Sequence, residues 1–335
     1  MINPADLLAP ALEAVAAAGK VCRAVQQDLD RVRSVTKDDR SPVTVADFAS
    51  QAIVAHMLHM RVAGMRLVGE EDAAALRAPE AESLREETLS AVRRLWPDVL
   101  MDTMLDAIDL GNAEPGGMFW TLDPIDGTKG FLRGQQYAVS LALIDEGRPV
   151  VGVMACPNLP ADENAPLDAA DPDGTLHLAV RGSGAWEITG LDPSGERRRI
   201  RASDRAPGSP VRSCASVEKA HTSLSDVDRV LERVGGAGEP ARLDSQCKYA
   251  VVARGQADAY LRLPTKKGYV ERIWDHAAGS LVATEAGAVV TDIAGAELDF
   301  ARGLGLEANR GIVCAAPWVH GSLIEAIEAL GIGRS

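Results

Sequence analysis

The sequence predicts a two-lobed α/β protein, and three observations carry that prediction. At 335 residues the chain exceeds the roughly 250–300 at which one hydrophobic core stops growing, so two lobes are expected. Its first sixty residues carry apolar side chains at helical spacing, whereas later apolar runs such as 137–144 and 148–156 are short, strand-like and punctuated by turn residues. Beyond about Ser203 short strand-like and helix-like segments alternate. The boundary is therefore set near Ser203, with lobes over 1–203 and 204–335.

Residues 5–33 place Leu7, Leu8, Leu12, Val15, Val21, Val25 and Leu29 on one helical stripe, predicting a first long helix. A second follows from SPVTVADFAS (41–50), with Thr44 as the expected cap and Val45, Phe48, Ala49, Ala52 and Ile53 as its buried stripe. Further helical segments are read at 80–95 and 98–110, and residues 65–72 as a short strand ending in acid. Phe119–Leu122 reads as the end of a buried strand, after which Pro124 and Gly127 predict a tight turn. Residues 137–144 and 148–156 flank Asp145-Glu-Gly and predict a hairpin. The stretch 159–174, rich in Pro, Asp and Ala, is expected to be an exposed, mobile loop, and strands resume over 175–188.

A net charge of −13 argues against a polyanionic polymer as partner. No apolar run approaches the ~18 residues of a membrane span, and the first ten residues lack a basic region ahead of an apolar core. The cysteines (Cys22, Cys156, Cys214, Cys247, Cys314) are scattered and form no C-x-x-C pair, so they are read as core filler in a reduced, cytoplasmic protein. His56 and His59, on the second helix, are read as packing or surface residues, Arg197–Arg201 as a strand with an exposed basic edge, and Lys266-Lys267 as a solvated turn.

Carboxylates stand at the ends of apolar runs in four places: Asp47, the Glu70-Glu71-Asp72 cluster, Asp123 with Asp126, and Asp275. Each alone is a cap or a solvated turn; together they suggest a site for hard divalent cations, which take oxygen ligands. Bent by Pro124 and Gly127, the backbone would let Asp123 bridge two ions, with Asp126 reaching one and the Ile125 carbonyl the other. Two such ions clamp the attacking and departing oxygens of a displacement at phosphorus. Thr128, hydrogen-bonded to Asp47, would orient the attacking water.

These segments, VTVAD (43–47), VGEED (68–72), LDPIDGTKGF (122–131) and WDHAAG (274–279), resemble the lithium-sensitive, magnesium-dependent phosphomonoesterases, the superfamily of inositol monophosphatase. The resemblance runs from about Asp47 to Gly295. It implies a layered αβαβα sandwich with the active site between an N-terminal antiparallel-sheet lobe and a C-terminal α/β lobe. It implies Glu70, Asp123, the Ile125 carbonyl, Asp126 and Asp275 as ligands of two or three Mg²⁺ ions, and Asp47 with Thr128 as activators of water. Glu71 and Asp72 would not be ligands, Asp72 instead helping to hold the loop. Inhibition by Li⁺ is implied as well.

Within the superfamily, KGFLRG after the DGT element, together with SVEKAHTS (216–223), LDSQCKY (243–249) and DAYLRLPTK (258–266), is similar to the 3′(2′),5′-bisphosphate nucleotidases. That branch cleaves 3′-phosphoadenosine 5′-phosphate (PAP) to AMP, and 3′-phosphoadenosine 5′-phosphosulfate (PAPS) is a further candidate substrate. The implied substrate contacts are Thr128, His221, Ser245, Lys248, Arg262 and Asp275. Lys248 and Arg262 bring cations for the phosphate that stays, and Arg holds an oxyanion with two parallel bonds. Asp275 and His276 open a helix whose N-terminal amides favour an anion. The long 160–174 loop and Ala220, where the branch commonly has glycine, depart from its pattern. The expected partner is a small molecule, with neither a nucleic-acid polymer nor a membrane, and the expected assembly a monomer or homodimer. An inositol-phosphate phosphatase is the nearest alternative, and a catalytically silent nucleotide-binding protein the more remote one.

Overall fold

The computed structural model describes residues 3–33, 42–217, 223–236, 239–264 and 268–333. A 3₁₀ turn, Pro4–Leu7, leads into helix α1 (Leu8–Arg33), and α2 (Pro42–Arg61) follows. Because α2 begins at Pro42, Thr44 lies inside its first turn and is not the N-cap. Proline suits that opening turn, where its missing N–H removes no helical bond. Strand β1 (Leu67–Gly69) precedes α3 (Ala74–Arg77), α4 (Glu82–Val92) and α5 (Met101–Asp109). Next come β2 (Phe119–Asp126), the short α6 (Thr128–Leu132), β3 (Ala138–Asp145), β4 (Arg148–Cys156), β5 (Thr175–Val180), β6 (Gly184–Thr189) and β7 (Arg197–Ile200). The remainder is β8 (Ser213–Ala215), α7 (Leu224–Val234), β9 (Ala241–Arg242), α8 (Cys247–Ala253), β10 (Ala259–Arg262), α9 (Ala277–Glu285), β11 (Val289–Thr291), β12 (Ile312–Ala315) and α10 (Pro317–Ala329).

Strands β1 to β7 form one sheet in sequence order, antiparallel except for the parallel β1–β2 edge. A second sheet has the order β11-β12-β10-β8-β9 and mixes antiparallel with parallel pairs. Helices α1 and α2 cover one face of the first sheet, and α9 the other, where it contacts β3 through β6. Helix α8 packs on α9 and on β8, β10 and β12, while α10 pairs with α7 and packs on β12 beyond. The layers therefore run α-β-α-β-α.

Period-two alternation in the central strands serves two cores at once. Val139, Leu141 and Leu143 of β3 face α1 and α2, whereas Ala138, Ala142 and Ile144 face α9. Small residues on the α9 side permit a close approach: a Cβ added at Gly152 would come 2.9 Å from the Ala278 carbonyl oxygen. A third core lies between the second sheet and α7 with α10.

Two further expectations change. The strand read as ending at Leu122 continues through Pro124 to Asp126, and the expected turn is instead a register shift between Asp123 and Asp126. A bulge tolerates proline, which cannot donate to a ladder. The chain turns only at Gly127, with φ of 87°. The 159–174 segment is largely exposed, as expected, but it is tied down. Gln136 donates to the Leu167 and Ala169 carbonyls, Arg254 to Pro160, and Arg198 pairs with Glu163. All five cysteines are free and buried. His56 stacks on Trp96 at 3.5 Å, a packing role.

Candidate active site

A cavity of about 340 Å³ opens between the first sheet and the α8–α9 layer. Glu70, Asp123, Ile125, Asp126, Thr128, Ser245, Lys248, Arg262 and Asp275 all line it. Of the anticipated site residues, Asp47 stands behind the wall, and His221 lies outside the described residues, as do Ala220 and Lys266-Lys267.

Helix α2 holds the acidic wall in place from behind. Its Ser50 hydroxyl donates to the Pro124 carbonyl at 2.9 Å, fixing the bulge. Gln51, fully buried, accepts from the Glu71 backbone N–H at 3.1 Å and donates to the Glu71 carbonyl. One helix therefore fixes both acid-bearing segments. Asp72 accepts from the Ala74 N–H at 2.8 Å, stabilising the turn after Glu70 and Glu71. Gly127 is required by geometry: φ is positive, and a Cβ there would come 2.9 Å from the Ser245 Cβ.

The opposite wall comes from the second sheet and its helices. Ser245 itself has φ of 68°, a strained conformation for a residue with a side chain. That conformation turns the Gln246 N–H toward Asp126 Oδ2, 2.6 Å away. Gln246 then spans the layer: its side chain donates to the Trp274 carbonyl at 2.9 Å and accepts from the Gly279 N–H at 2.9 Å. These bonds fix the start of α9, where Asp275 sits. The Lys248 ammonium, buried, donates to the Ser245 carbonyl at 2.6 Å and lies 5.2 Å from the Tyr260 ring centroid. Burial lowers its pKa, partly offset by Asp126 and Asp244.

The carboxylates repel one another. Asp123 is pushed well above the carboxylate range by burial, then by Glu70, Asp126, Asp275 and Asp47. Glu70 is raised to about 7 by desolvation, then by Asp275 and Glu71, while a hydrogen bond with Asp123 works against the rise. Desolvation raises Asp275 to about 6 although Arg262 and His276 pull it down. Asp47 is raised well above its ordinary value by burial, then by Glu71 and Glu70.

The donor set suits a hard divalent cation. It is all oxygen, and Asp123 Oδ1 is buried without a hydrogen-bond partner, a state that an ion would relieve. Among the described residues, the one set of three whose candidate ligand atoms lie within 4.8 Å of one another is Glu271, Asp275 and His276. That set is a hydrogen-bonded ion-pair network: Arg262 Nη2 lies 2.7 Å from Glu271 Oε2 and 3.8 Å from Asp275 Oδ2. Glu70 and Asp123 share a hydrogen bond, while the Gln246 N–H and Arg262 engage Asp126 and Asp275 from the side of the second sheet. The expected hydrogen bond between Asp47 and Thr128 is not formed; Asp47 sits behind Glu70 and Asp123 instead. Gln51, Asp244, Gln246 and Glu271 escaped sequence reasoning. The one available signal was a polar Ser50-Gln51 step beside the apolar stripe of α2.

Five layers, with an acid-lined cleft between two sheets, define the inositol monophosphatase class of fold. The family model for inositol monophosphatases matches residues 3–331, and the chain belongs to that family. Among solved structures it is similar to inositol monophosphatase from Anabaena, with a TM-score of 0.63 at 21% identity over 98% of this chain and 97% of that one. CysQ from Bacteroides thetaiotaomicron, a bacterial family member, gives 0.58 at 22% identity over 92% and 96%. Sequence relatives are nearer. A rice protein named 3′(2′),5′-bisphosphate nucleotidase is 42% identical over 97% of this chain and 95% of its own. A Schizosaccharomyces pombe protein of the same name is 40% identical over 93% and 90%. No described helix is long and apolar enough to cross a membrane.

Proposed function

We propose that this chain is a Mg²⁺-dependent phosphatase that removes the 3′-phosphate of PAP, giving AMP and phosphate, with PAPS as a further substrate. The observation that carries the reading is one cavity with two unlike walls. Asp123, Asp126 and Glu70 form an all-oxygen wall with a partnerless buried carboxylate oxygen, and Lys248 and Arg262 form a cationic wall facing it. A substrate with one phosphate to lose and another to hold fits such a pair. The rice and fission-yeast relatives support the same substrate by their names.

Glu70, Asp123, the Ile125 carbonyl, Asp126 and Asp275 would hold two or three Mg²⁺ ions, which would neutralise the acids and stabilise charge at the transferring phosphoryl group. Thr128 orients the attacking water from the cavity wall, and Asp47, assigned as proton acceptor, would receive its proton by way of Glu70 and Asp123, behind which it stands. Lys248 and Arg262 receive the retained phosphate, with Ser245 and His221 completing the nucleotide contacts. In this reading the lobes are 1–203 and 204–335, and the second contributes Asp275. Free buried cysteines suit a reducing cytoplasm, and a monomer or homodimer suffices, because every assigned residue comes from one chain.

The test is phosphate release from PAP, PAPS, inositol 1-phosphate, inositol 1,4-bisphosphate and fructose 1,6-bisphosphate, with Mg²⁺ and with chelator. The expected result is the highest kcat/KM on PAP or PAPS, abolished by chelator and inhibited by Li⁺. Higher kcat/KM on an inositol phosphate would replace the substrate assignment, and release from none would overturn the enzyme.

A further inference from the structure

Behind the cationic wall lies a buried acid to which the proposed function gives neither metal nor phosphate. Glu271 is 6% exposed and does not line the cavity. It meets Arg262 side-on, with Nε 2.9 Å from Oε1 and Nη2 2.7 Å from Oε2. We propose that Glu271 is a positioning residue. It locks the Arg262 guanidinium against the cavity wall and so sets the preference for substrates that carry a second phosphate. The inference rests on the function proposed above.

Two carboxylates compete for the Arg262 guanidinium. Arg262 has a second carboxylate within reach, Asp275 Oδ2 at 3.8 Å. Asp275 lies in the acidic part of the cavity, so an arginine free to choose would turn toward it and abandon the place of the retained phosphate. The two-point match between a guanidinium and a carboxylate is directional as well as electrostatic, and it wins this contest for Glu271. A long arginine side chain loses rotamer freedom when a substrate fixes it, and holding it beforehand removes that cost from binding.

Glu271 is itself held. His276 Nε2 lies 3.3 Å from Oε2, and His276 Nδ1 is 2.8 Å from the Tyr249 hydroxyl. Tyr249 is fixed by contact with Gly279, where a Cβ would come 2.4 Å from the ring. Every part of this chain behind Arg262 is buried. The guanidinium thus rests on the packing of α8 against α9, and Nη1 is not among the atoms that Glu271 engages.

The test compares kcat/KM on PAP and on adenosine 3′-monophosphate for wild type, Glu271→Gln, Arg262→Ala and the double variant. Glu271→Gln keeps the shape and removes the charge. It should lower kcat/KM on the bisphosphate at least tenfold more than on the monophosphate, chiefly through KM. In the Arg262→Ala background it should add less than twofold. Equal losses on both substrates, or additive losses in the double variant, would mark a merely structural residue and overturn the inference. Should Glu271→Gln fail to fold, Glu271→Asp keeps the charge but withdraws it, and the same selective loss is expected; a uniform loss overturns. A wild type indifferent to the second phosphate would overturn the proposed substrate and this inference together. A selective wild type with uniform losses in the variants would overturn this inference alone.

Discussion

Asp123 concentrates the conflict between stability and function. Its carboxylate is buried, one oxygen has no hydrogen-bond partner, and four neighbouring acids raise its pKa. Asp123→Asn should therefore remove turnover by about three orders of magnitude, since several kcal/mol of charge stabilisation is lost. It should also raise the stability of the metal-free protein by about 1–3 kcal/mol, because the fold no longer has to bury a carboxyl that ionises freely in the unfolded chain. Urea denaturation in chelator and a calorimetric Mg²⁺ titration check both halves; unchanged metal affinity would count against Asp123 as a ligand. Glu70 gives a pH signature. Its folded-state pKa, about 7, lies above the ordinary carboxylate value. Between about pH 4 and pH 7 the folded state holds a proton that the unfolded chain has released, so stability falls as pH rises through that window. In chelator, the wild type should lose stability relative to Glu70→Gln between about pH 4 and pH 7. A difference that is flat, or that grows in favour of the wild type, would contradict the shift.

At the scale of elements, the site depends on polar side chains that grip backbone across layers. Gln246→Ala removes two buried hydrogen bonds and leaves the Trp274 carbonyl and Gly279 N–H unpaired, which should cost about 2–4 kcal/mol. Since those bonds seat the start of α9, activity should fall beyond what the stability loss explains. Denaturation and kcat, measured on the same preparation, separate the two effects, and a loss below 1 kcal/mol would remove Gln246 from this role. The acids themselves were legible in sequence because carboxylates at the ends of apolar runs have no reason to gather except a cation. Their supports were not. Ser50, Gln51 and Gln246 bind backbone groups far away in the chain, and no spacing or periodicity announces such a bond. The bulge at Pro124 was misread for a related reason: a proline in a strand resembles a turn until its partner strand is known.

Over the whole molecule, strand and helix patterns foretell an α/β chain, while the order of its layers is an expectation from the family resemblance alone. The sharing of one strand between two cores was visible only as nearly unbroken apolar runs in β3 and β4. Loop 159–174 reads as free from composition alone, yet buried Arg254, paired with Glu187, also holds the Pro160 carbonyl. Asp275 stands at the start of a helix sandwiched between the two sheets, and the other acids come from the first sheet and its flank. Cations joining the two sets would tie the layers together, so Mg²⁺ should raise the melting temperature of the wild type and do so far less in Asp275→Asn. The most direct measurement is anomalous diffraction from a crystal soaked in Mn²⁺, standing in for Mg²⁺. The account predicts ion peaks within bonding distance of Asp123, Asp126, Glu70 and Asp275, with Asp123 touching more than one. Peaks confined to the exposed surface, or an acidic wall that stays bare at millimolar Mn²⁺, would contradict it.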